Sequence, residues 1–164
     1  MRNKIIHLLN KPLTVKWMMN LYRPLRAAGI RVNYIASDYR QIDVCLKLKL
    51  SNKNIHGVHF GGSLFAMTDP FFVMMISYHL GPGYIVWDKA ADIQFIKPGR
   101  GTVRASFTLS PEQIEDLSRY TSEGQRYLPQ YTVHIVDEHN DVVAHVRKTI
   151  YVRKKGPQIS TKAL

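Results

Sequence analysis

Residues 61–80 constrain the fold of this chain more than any other segment. They are apolar on nearly every side of a predicted helix, and Gly-Pro-Gly at 81–83 ends the run. A helix that is apolar all round has to be surrounded by other structure. One carboxylate, Asp69, interrupts the run, and Pro70 follows it directly. The segment therefore predicts a buried central helix with a single ionisable group that the surrounding structure has to accommodate.

Much of the remaining chain alternates apolar and polar residues with a period of two. Residues 42–50 show this pattern most clearly, and residues 30–36 are placed to pair with them. Four further strands are predicted, at 84–97, 102–109, 127–137 and 142–153. Alternating strands have one buried face and one solvated face. A single antiparallel sheet wrapped around the central helix, an α+β fold, therefore satisfies the pattern.

Two further helices are indicated by periodicity and by residues typical of helix ends. In residues 12–28 apolar side chains recur at every fourth position; Pro24 should kink or split this helix and Gly29 should end it. Farther along, Ser110 precedes Pro111, which is the arrangement of an N-cap followed by the first helical residue. The sequence therefore predicts an N-terminal helix and a short helix inserted between two strands.

Length and composition limit the class of protein. A chain of 164 residues, 45% hydrophobic and 21% charged, is sufficient for one domain with a core. We assign residues 1–155 to that domain and residues 156–164 to a flexible basic tail. No apolar run is long enough for a membrane span. The single cysteine cannot form an internal disulfide, which is typical of a reducing compartment, and we expect the cytoplasm.

The net charge of +11 favours a partner that carries negative charge. Anionic lipid and a phosphate-rich ligand such as a coenzyme A ester are both candidates. Nucleic acid is not expected, since no motif or basic patch with interleaved aromatic residues is present. Residues 1–37 contain seven Lys or Arg and no acid, so the N-terminal helix could touch an anionic membrane, and an organelle transit peptide is another interpretation.

Asp69 is the first candidate for chemistry. A carboxylate buried in an apolar helix is costly unless it is paired or hydrogen-bonded. Such a group suits a general base or a nucleophile, and it can equally be a structural acid satisfied by a neighbouring Ser, Tyr or Lys. Pro70 has no N–H, so the carbonyl of Ala66 loses its helical partner and the locally opened helix can aim the carboxylate into a cleft.

The start of the central helix offers hydrogen-bond donors. The first N–H groups of a helix have no partner inside it, and Gly61 and Gly62 let a ligand approach the backbone closely. Such a place can hold a developing oxyanion, and Asn54 can orient a ligand carbonyl or a water. The two glycines can equally form a tight turn. His56 and His59 have no third ligand nearby, so we expect no metal site.

These residues resemble a known signature. The pattern N-x-x-G-x-x-F-G-G at 54–62, followed seven residues later by Asp69, is similar to the N-x-x-G-x-x-H-G-G…D pattern of hotdog-fold acyl-CoA thioesterases of the phenylacetyl-CoA thioesterase type. Over roughly residues 12–155 the chain resembles the DUF4442 family of uncharacterised hotdog proteins, through residues 110–114, 121–124 and 142–155. The resemblance implies the hotdog fold, an antiparallel sheet wrapped around a long central helix.

The resemblance also implies roles for individual residues. Asp69 would be the general base or nucleophile, Gly61 would polarise the thioester carbonyl through its N–H, and Asn54 would orient the substrate. Phe60 stands where the catalytic branch has histidine, which implies a changed substrate preference or binding without hydrolysis. The other residues expected at the substrate are Gly62, Phe65, Asp88 as a water-holding residue, and Lys97 and Arg100 as phosphate contacts, with Arg153, Lys154 and Lys155 as further phosphate contacts.

The expected function follows from the same resemblance. The protein would hydrolyse an acyl-CoA thioester with a carboxylate-activated water and without a cofactor; the alternative is a non-catalytic acyl-CoA- or lipid-binding protein. It would be a homodimer or tetramer, because hotdog pockets form at the junction between subunits. Some apolar residues of the central helix could line an acyl tunnel, although a wrapped helix needs most of them for packing; they are Phe65, Phe71, Phe72, Met74 and Met75.

Overall fold

A computed structural model describes residues 11–156, in which helices pack on an antiparallel sheet of seven strands. The strands are β1 (Ile30–Ile35), β2 (Gln41–Lys47), β3 (Tyr84–Phe95), β4 (Thr102–Thr108), β5 (Arg126–Tyr127), β6 (Gln130–Val136) and β7 (Val142–Lys154). The helices are α1 (Pro12–Leu21), α2 (Arg23–Ala28), α3 (Gly61–Ala66), α4 (Phe71–Leu80) and α5 (Pro111–Arg119). The flexible tail expected at 156–164 lies almost entirely outside the described residues.

The sheet has the order β1-β2-β4-β6-β7-β3, with the short β5 also paired to β7. All of its pairs are antiparallel, and β1 pairs with β2 as the sequence predicts. β3 is twelve residues long and lies at one edge, where it pairs with β7. The predicted sheet around a central apolar helix is confirmed.

The core lies between the inner face of the sheet and α4. Phe107 of β4 packs against two rings of α4, with centroids 4.9 Å from Phe71 and 5.2 Å from Phe72. These rings and Met75 are fully or almost fully buried. Their burial provides the packing that a helix wrapped by a sheet needs.

The central helix differs from its prediction at one place. Residues 61–80 form two helical segments, because α3 ends at Ala66 and residues 67–70 make a turn before α4. Pro70 cannot donate to the carbonyl of Ala66, which accepts instead from the N–H of Asp69 at 3.2 Å. The local opening expected at Pro70 is therefore a complete interruption, and Asp69 lies in it.

The other helix ends follow their sequence signals. Pro24 splits the N-terminal helix into α1 and α2, and Gly29 ends α2 with φ at 86°. Ser110 caps α5: its hydroxyl accepts from the N–H of Gln113 at 3.1 Å, and the side chain of Gln113 accepts from the N–H of Ser110 at 2.8 Å. None of the described helices is long and apolar enough to cross a membrane.

Candidate active site

Two cavities beside α3 contain most of the predicted site residues, and they share no lining residue. The first, which we call the carboxylate cavity, has a volume of about 390 Å³ and is lined by Tyr22, Pro24, Leu25, Gly62, Phe65, Ala66, Asp69 and Pro70. The second, the amide cavity, has a volume of about 360 Å³ and is lined by Asn54, Val58, His59, Gly61, Leu64, Phe95, Ile96, Lys97, Pro98 and Gly99.

Asp69 lies at the surface rather than in the core, so the prediction of a buried carboxylate is wrong. Its side chain is 71% exposed at the carboxylate cavity. The physical reason is the interruption of the helix, which buries Met67 and Thr68 and leaves the acid in contact with solvent. The hydroxyl of Thr68 donates to the carbonyl of Phe65 at 2.8 Å, which satisfies the polar atom that the turn does bury.

Lys148 of β7 lies close to this carboxylate, and the sequence reasoning assigned it no role. Its side chain is only 1% exposed. Its Nζ lies 2.9 Å from Oδ1 of Asp88, 3.7 Å from Oδ1 of Asp69 and 3.3 Å from the backbone oxygen of Asp69, to which it donates. The lysine therefore joins the interrupted helix to the sheet through a buried positive charge.

A signal for Lys148 was present in the sequence. Inward-facing residues of β7 alternate with outward-facing ones, and Val146 and Ile150 on either side of Lys148 are fully buried. A lysine in the apolar register of a strand needs an acidic partner, because a buried charge is costly unless it is paired. The partner is Asp88 of β3, a half-buried acid.

Asp88 is an ion-pair partner as well as a candidate to hold water. Burial raises the pKa of its carboxyl group, and the hydrogen bond and charge of Lys148 partly oppose that rise. The nearby charge of Asp69 raises it further. One ammonium group thus serves two carboxylates, of which one is half-buried and the other faces solvent.

The amide groups at the start of α3 are available for a ligand. Within residues 11–156 the N–H groups of Gly61 and Gly62 donate to no acceptor. Aromatic rings pack directly on this backbone: a Cβ on Gly61 would lie 3.1 Å from the ring of Phe95, and one on Gly62 would meet the ring of Phe60 at 2.4 Å. Close approach of side chains is therefore one reason for both glycines, and Phe60 itself is exposed.

Asn54 holds the loop that leads into α3. Its Oδ1 accepts from the N–H of His56 at 2.9 Å and of Val58 at 3.3 Å, while its Nδ2 has no acceptor among the described residues. His59 in the same loop is buried, with Nε2 3.1 Å from the carbonyl oxygen of Gly101, and burial lowers the pKa of its imidazole. Of the Asn54 side chain, only the amide nitrogen remains for a ligand.

Most of the predicted phosphate contacts already have protein partners. Nζ of Lys97 lies 2.7 Å from Asp137 and 2.8 Å from Asp141, and these carboxylates raise the pKa of the lysine. The side chains of two others donate to backbone oxygens: Arg153 to Gly124 at 2.9 Å and Lys155 to Pro82 at 2.7 Å. Within the described residues, Arg100 and Lys154 are exposed and have no such partner.

The structure therefore divides the predicted site. Asp69, Gly62 and Phe65 line the carboxylate cavity, whereas Gly61, Asn54 and Lys97 line the amide cavity. Asp88 and Phe60 lie next to the carboxylate cavity through their contacts with Lys148 and Gly62. A single protomer thus keeps the carboxylate and the Gly61 donor in separate cavities.

Known proteins share this architecture at low sequence identity. A protein of unknown function from Pseudomonas aeruginosa, PA5026, described as a probable thioesterase, is 18% identical; the match covers 88% of this chain and 99% of that one with a TM-score of 0.76. Thioesterase HI1161 from Haemophilus influenzae is 16% identical over 88% of this chain and 91% of that one, with a TM-score of 0.65. PaaI from the Escherichia coli phenylacetic acid degradation operon is 18% identical over 87% and 91%, with a TM-score of 0.56.

These likenesses establish the hotdog fold that the resemblance implied, and at such identities they establish the fold alone. No functionally curated protein matches the sequence significantly. The family described as domain of unknown function DUF4442 matches residues 11–152, which is most of the chain. The chain therefore belongs to the DUF4442 family and has the hotdog fold.

Proposed function

We propose that this protein is a thioesterase that hydrolyses an acyl-CoA thioester with a water activated by Asp69. The observation that carries the proposal is the position of this carboxylate, exposed at a cavity where the central helix is interrupted. Structurally similar proteins that are described as thioesterases support the same reaction class. A cavity of about 390 Å³ is within the range of small-molecule sites.

In the proposed reaction the Asp69 carboxylate takes a proton from a water molecule as that water attacks the thioester carbonyl carbon. The carbonyl oxygen gains negative charge, and an N–H of the glycine pair stabilises it. The carbon–sulfur bond then breaks, the coenzyme A thiolate leaves and takes up the proton that Asp69 accepted, and the carboxylic acid is released with the carboxylate of Asp69 restored. Nζ of Lys148 holds the backbone oxygen of Asp69 and so keeps the base at the cavity.

We place the complete site at a junction between two protomers, with Asp69 from one and Gly61 and Asn54 from the other. The separation of these residues into two cavities supports this arrangement. The edge strand β3 supports it as well, because an edge that pairs on one side only is a template for another chain. Trp87 and Phe95 of β3 are exposed in the single chain and would be covered in a dimer.

A hydrolysis screen across short, long and aryl acyl-CoAs, measured by release of free thiol, tests the proposal. We expect turnover of at least one class and a loss of about a hundredfold or more in kcat for Asp69→Ala. Glu123→Ala, which removes an exposed carboxylate outside both cavities, is the matched control and should leave turnover unchanged. Equal turnover by wild type and Asp69→Ala would exclude Asp69 as the base.

One observation favours a second function, the binding of acyl-CoA without hydrolysis. Phe60 places an aromatic ring over Gly62, where the thioesterase signature has histidine, so a polar group is missing beside the glycine pair. Tight binding of acyl-CoA without turnover, unchanged by Asp69→Asn, would establish this second function in place of the first.

A further inference from the structure

The outer face of α1 is apolar and exposed. Leu13, Trp17 and Leu21 recur at every fourth residue and are 66%, 64% and 62% exposed. On the opposite side of the same helix, Val15 and Met19 pack against the core. The helix thus buries one apolar side and presents a second apolar side to solvent. No other part of residues 11–156 covers this second side.

A pair of hydrogen bonds holds α1 in this orientation. Oδ1 of Asn20 accepts from the N–H of Val32 at 2.8 Å, and Nδ2 of Asn20 donates to the carbonyl of Val32 at 3.0 Å. These bonds tie the helix to β1. Rotation of the exposed side chains towards the core would break both bonds and expose Val15 and Met19.

The segment of the chain that contains α1 carries charge of one sign. From residue 11 to residue 37 the chain has five basic residues and no acid, and within residues 11–156 none of them forms an ion pair: Lys11, Lys16, Arg23, Arg26 and Arg31. A second copy of the same face would bring the same positive charge, so pairing of two such faces is opposed electrostatically. A surface of anionic headgroups over an acyl interior complements both the charge and the apolar stripe.

We propose that α1 docks this protein on an anionic lipid surface, with Leu13, Trp17 and Leu21 in the boundary between headgroups and acyl chains. Tyr22, the residue after α1, lines the carboxylate cavity with Asp69. Docking through α1 therefore brings the carboxylate cavity close to the lipid. If the proposed function holds, and this step rests on it, the substrates are long-chain acyl thioesters that partition into the membrane.

Co-sedimentation of the full chain with lipid vesicles tests the docking. We expect binding to vesicles of phosphatidylcholine mixed with phosphatidylglycerol, weaker binding as salt is added, and little binding to phosphatidylcholine alone. Trp17→Ser combined with Leu21→Ser should weaken binding about a hundredfold, since two large apolar side chains lose their burial. Ile55→Ser, which removes a side chain that is 95% exposed in a loop, is the matched control and should bind as wild type does.

Charge-reversal variants test the electrostatic contribution to the docking of α1. Lys11→Glu combined with Arg23→Glu should weaken binding about tenfold or more, whereas Arg126→Glu, at an exposed position on β5, should have a smaller effect. In a Trp87→Phe background, the fluorescence of Trp17 should shift to shorter wavelength with phosphatidylglycerol-containing vesicles. Equal binding to both vesicle types, or an unchanged Trp17 spectrum, would overturn the proposal.

The same variants separate docking from its alternatives. If Trp17→Ser with Leu21→Ser lowers the mass measured by light scattering and vesicles bind neither form, the face is an interface between copies and the proposal is wrong. Asp69→Asn should bind vesicles as wild type does. A protein that docks without hydrolysing thioesters would refute the proposed function alone, and one that hydrolyses without docking would refute this inference alone.

Discussion

The two cavities beside α3 differ in what they offer a reacting thioester. The carboxylate cavity contains an exposed acid held by a buried lysine, but Gly61 does not reach it. The amide cavity contains Gly61 and the free Nδ2 of Asn54, but its cation, Lys97, is already neutralised by two acids. The proposed hydrolysis needs a base and an oxyanion donor at one carbon atom, and Asp69 and Gly61 line different cavities. This difference between the cavities is the basis for the proposed site shared between two protomers.

The largest expected effect is on turnover, when two inactive variants, one altered in each cavity, are mixed. Asp69→Asn removes the base, and Asn54→Asp keeps the oxygen that holds the loop but replaces the free Nδ2 donor. Each variant alone should lose about a hundredfold in kcat. If the site is shared between protomers, an equimolar mixture after subunit exchange should recover about a quarter of the wild-type rate, because half of the dimers are mixed and one of the two sites in each is intact.

Thiol release by the mixture, followed over the time of subunit exchange, measures this recovery. The Asp69→Asn variant alone, taken through the same exchange procedure, is the control and should show no recovery. Differently tagged chains show whether the subunits have exchanged. If they have exchanged and no activity returns, Asp69 and Asn54 act within one protomer, and the proposed shared site is wrong.

The second effect concerns the lysine behind the carboxylate cavity. Lys148→Met should lower the free energy of unfolding by about 3–5 kcal/mol, because it leaves Asp88 half-buried without its counter-charge. Combining Lys148→Met with Asp88→Leu should restore most of that stability, since an apolar pair replaces the ion pair. Urea denaturation measures both, and Lys154→Met at the exposed end of the same strand is the matched control.

Activity of the double variant then separates stability from positioning. Restored stability with a lower kcat at unchanged KM would show that Lys148 keeps Asp69 in position. Restored stability with full kcat would show that the ion pair is structural only. A loss below about 1 kcal/mol for Lys148→Met would contradict the ion pair itself.

A smaller effect distinguishes the two cations beside the amide cavity. Among residues 11–156, Arg100 is exposed and has no ion-pair partner, whereas Lys97 is held by Asp137 and Asp141. Arg100→Gln should therefore raise KM for acyl-CoA about threefold, and Lys97→Gln should change it less. Steady-state kinetics at low salt measure the difference. A larger rise for Lys97→Gln would show that its ion pairs open when coenzyme A binds.

The smallest effect is the contribution of His59, in the amide cavity, to the pH dependence of stability. Burial lowers the pKa of His59 below its usual value of 6.5, so below pH 6.5 the unfolded chain binds a proton that the folded chain does not. The free energy of unfolding should then fall as the pH falls from 6.5 towards the lowered pKa. His59→Gln should flatten this slope in urea titrations at several pH values, and a slope that this substitution leaves unchanged would contradict the lowered pKa of His59.

Local patterns predicted the elements because local forces decide them. Pro24, Gly29 and Ser110 act on backbone groups within one helical turn, and all three behave as predicted. The alternation in β2 and β4 likewise follows from one buried and one solvated face. Asp69 is a candidate through its position after the glycine pair, and its catalytic role stays a prediction.

The contacts that the sequence did not reveal join residues far apart along the chain. The partners of Lys97, Arg153 and Lys155 lie far along the chain, so their charges read as free in the sequence although they are not. The burial of Lys148 was readable from its register in β7, but its contact with the turn at Asp69 spans 79 residues. The exposure of Asp69 depends on how far the helix opens at Pro70, which packing decides.

The sequence by itself determined the order of the elements and the apolar central helix that Pro70 interrupts, because periodicity, glycine and proline act over a few residues. Only the tertiary structure decided that Asp69 and the Gly61 donor line different cavities, that a buried lysine contacts Asp69, and that α1 keeps an apolar face in solvent. These features depend on which distant residues the sheet brings within a few ångströms of each other. Local sequence patterns do not determine such distances.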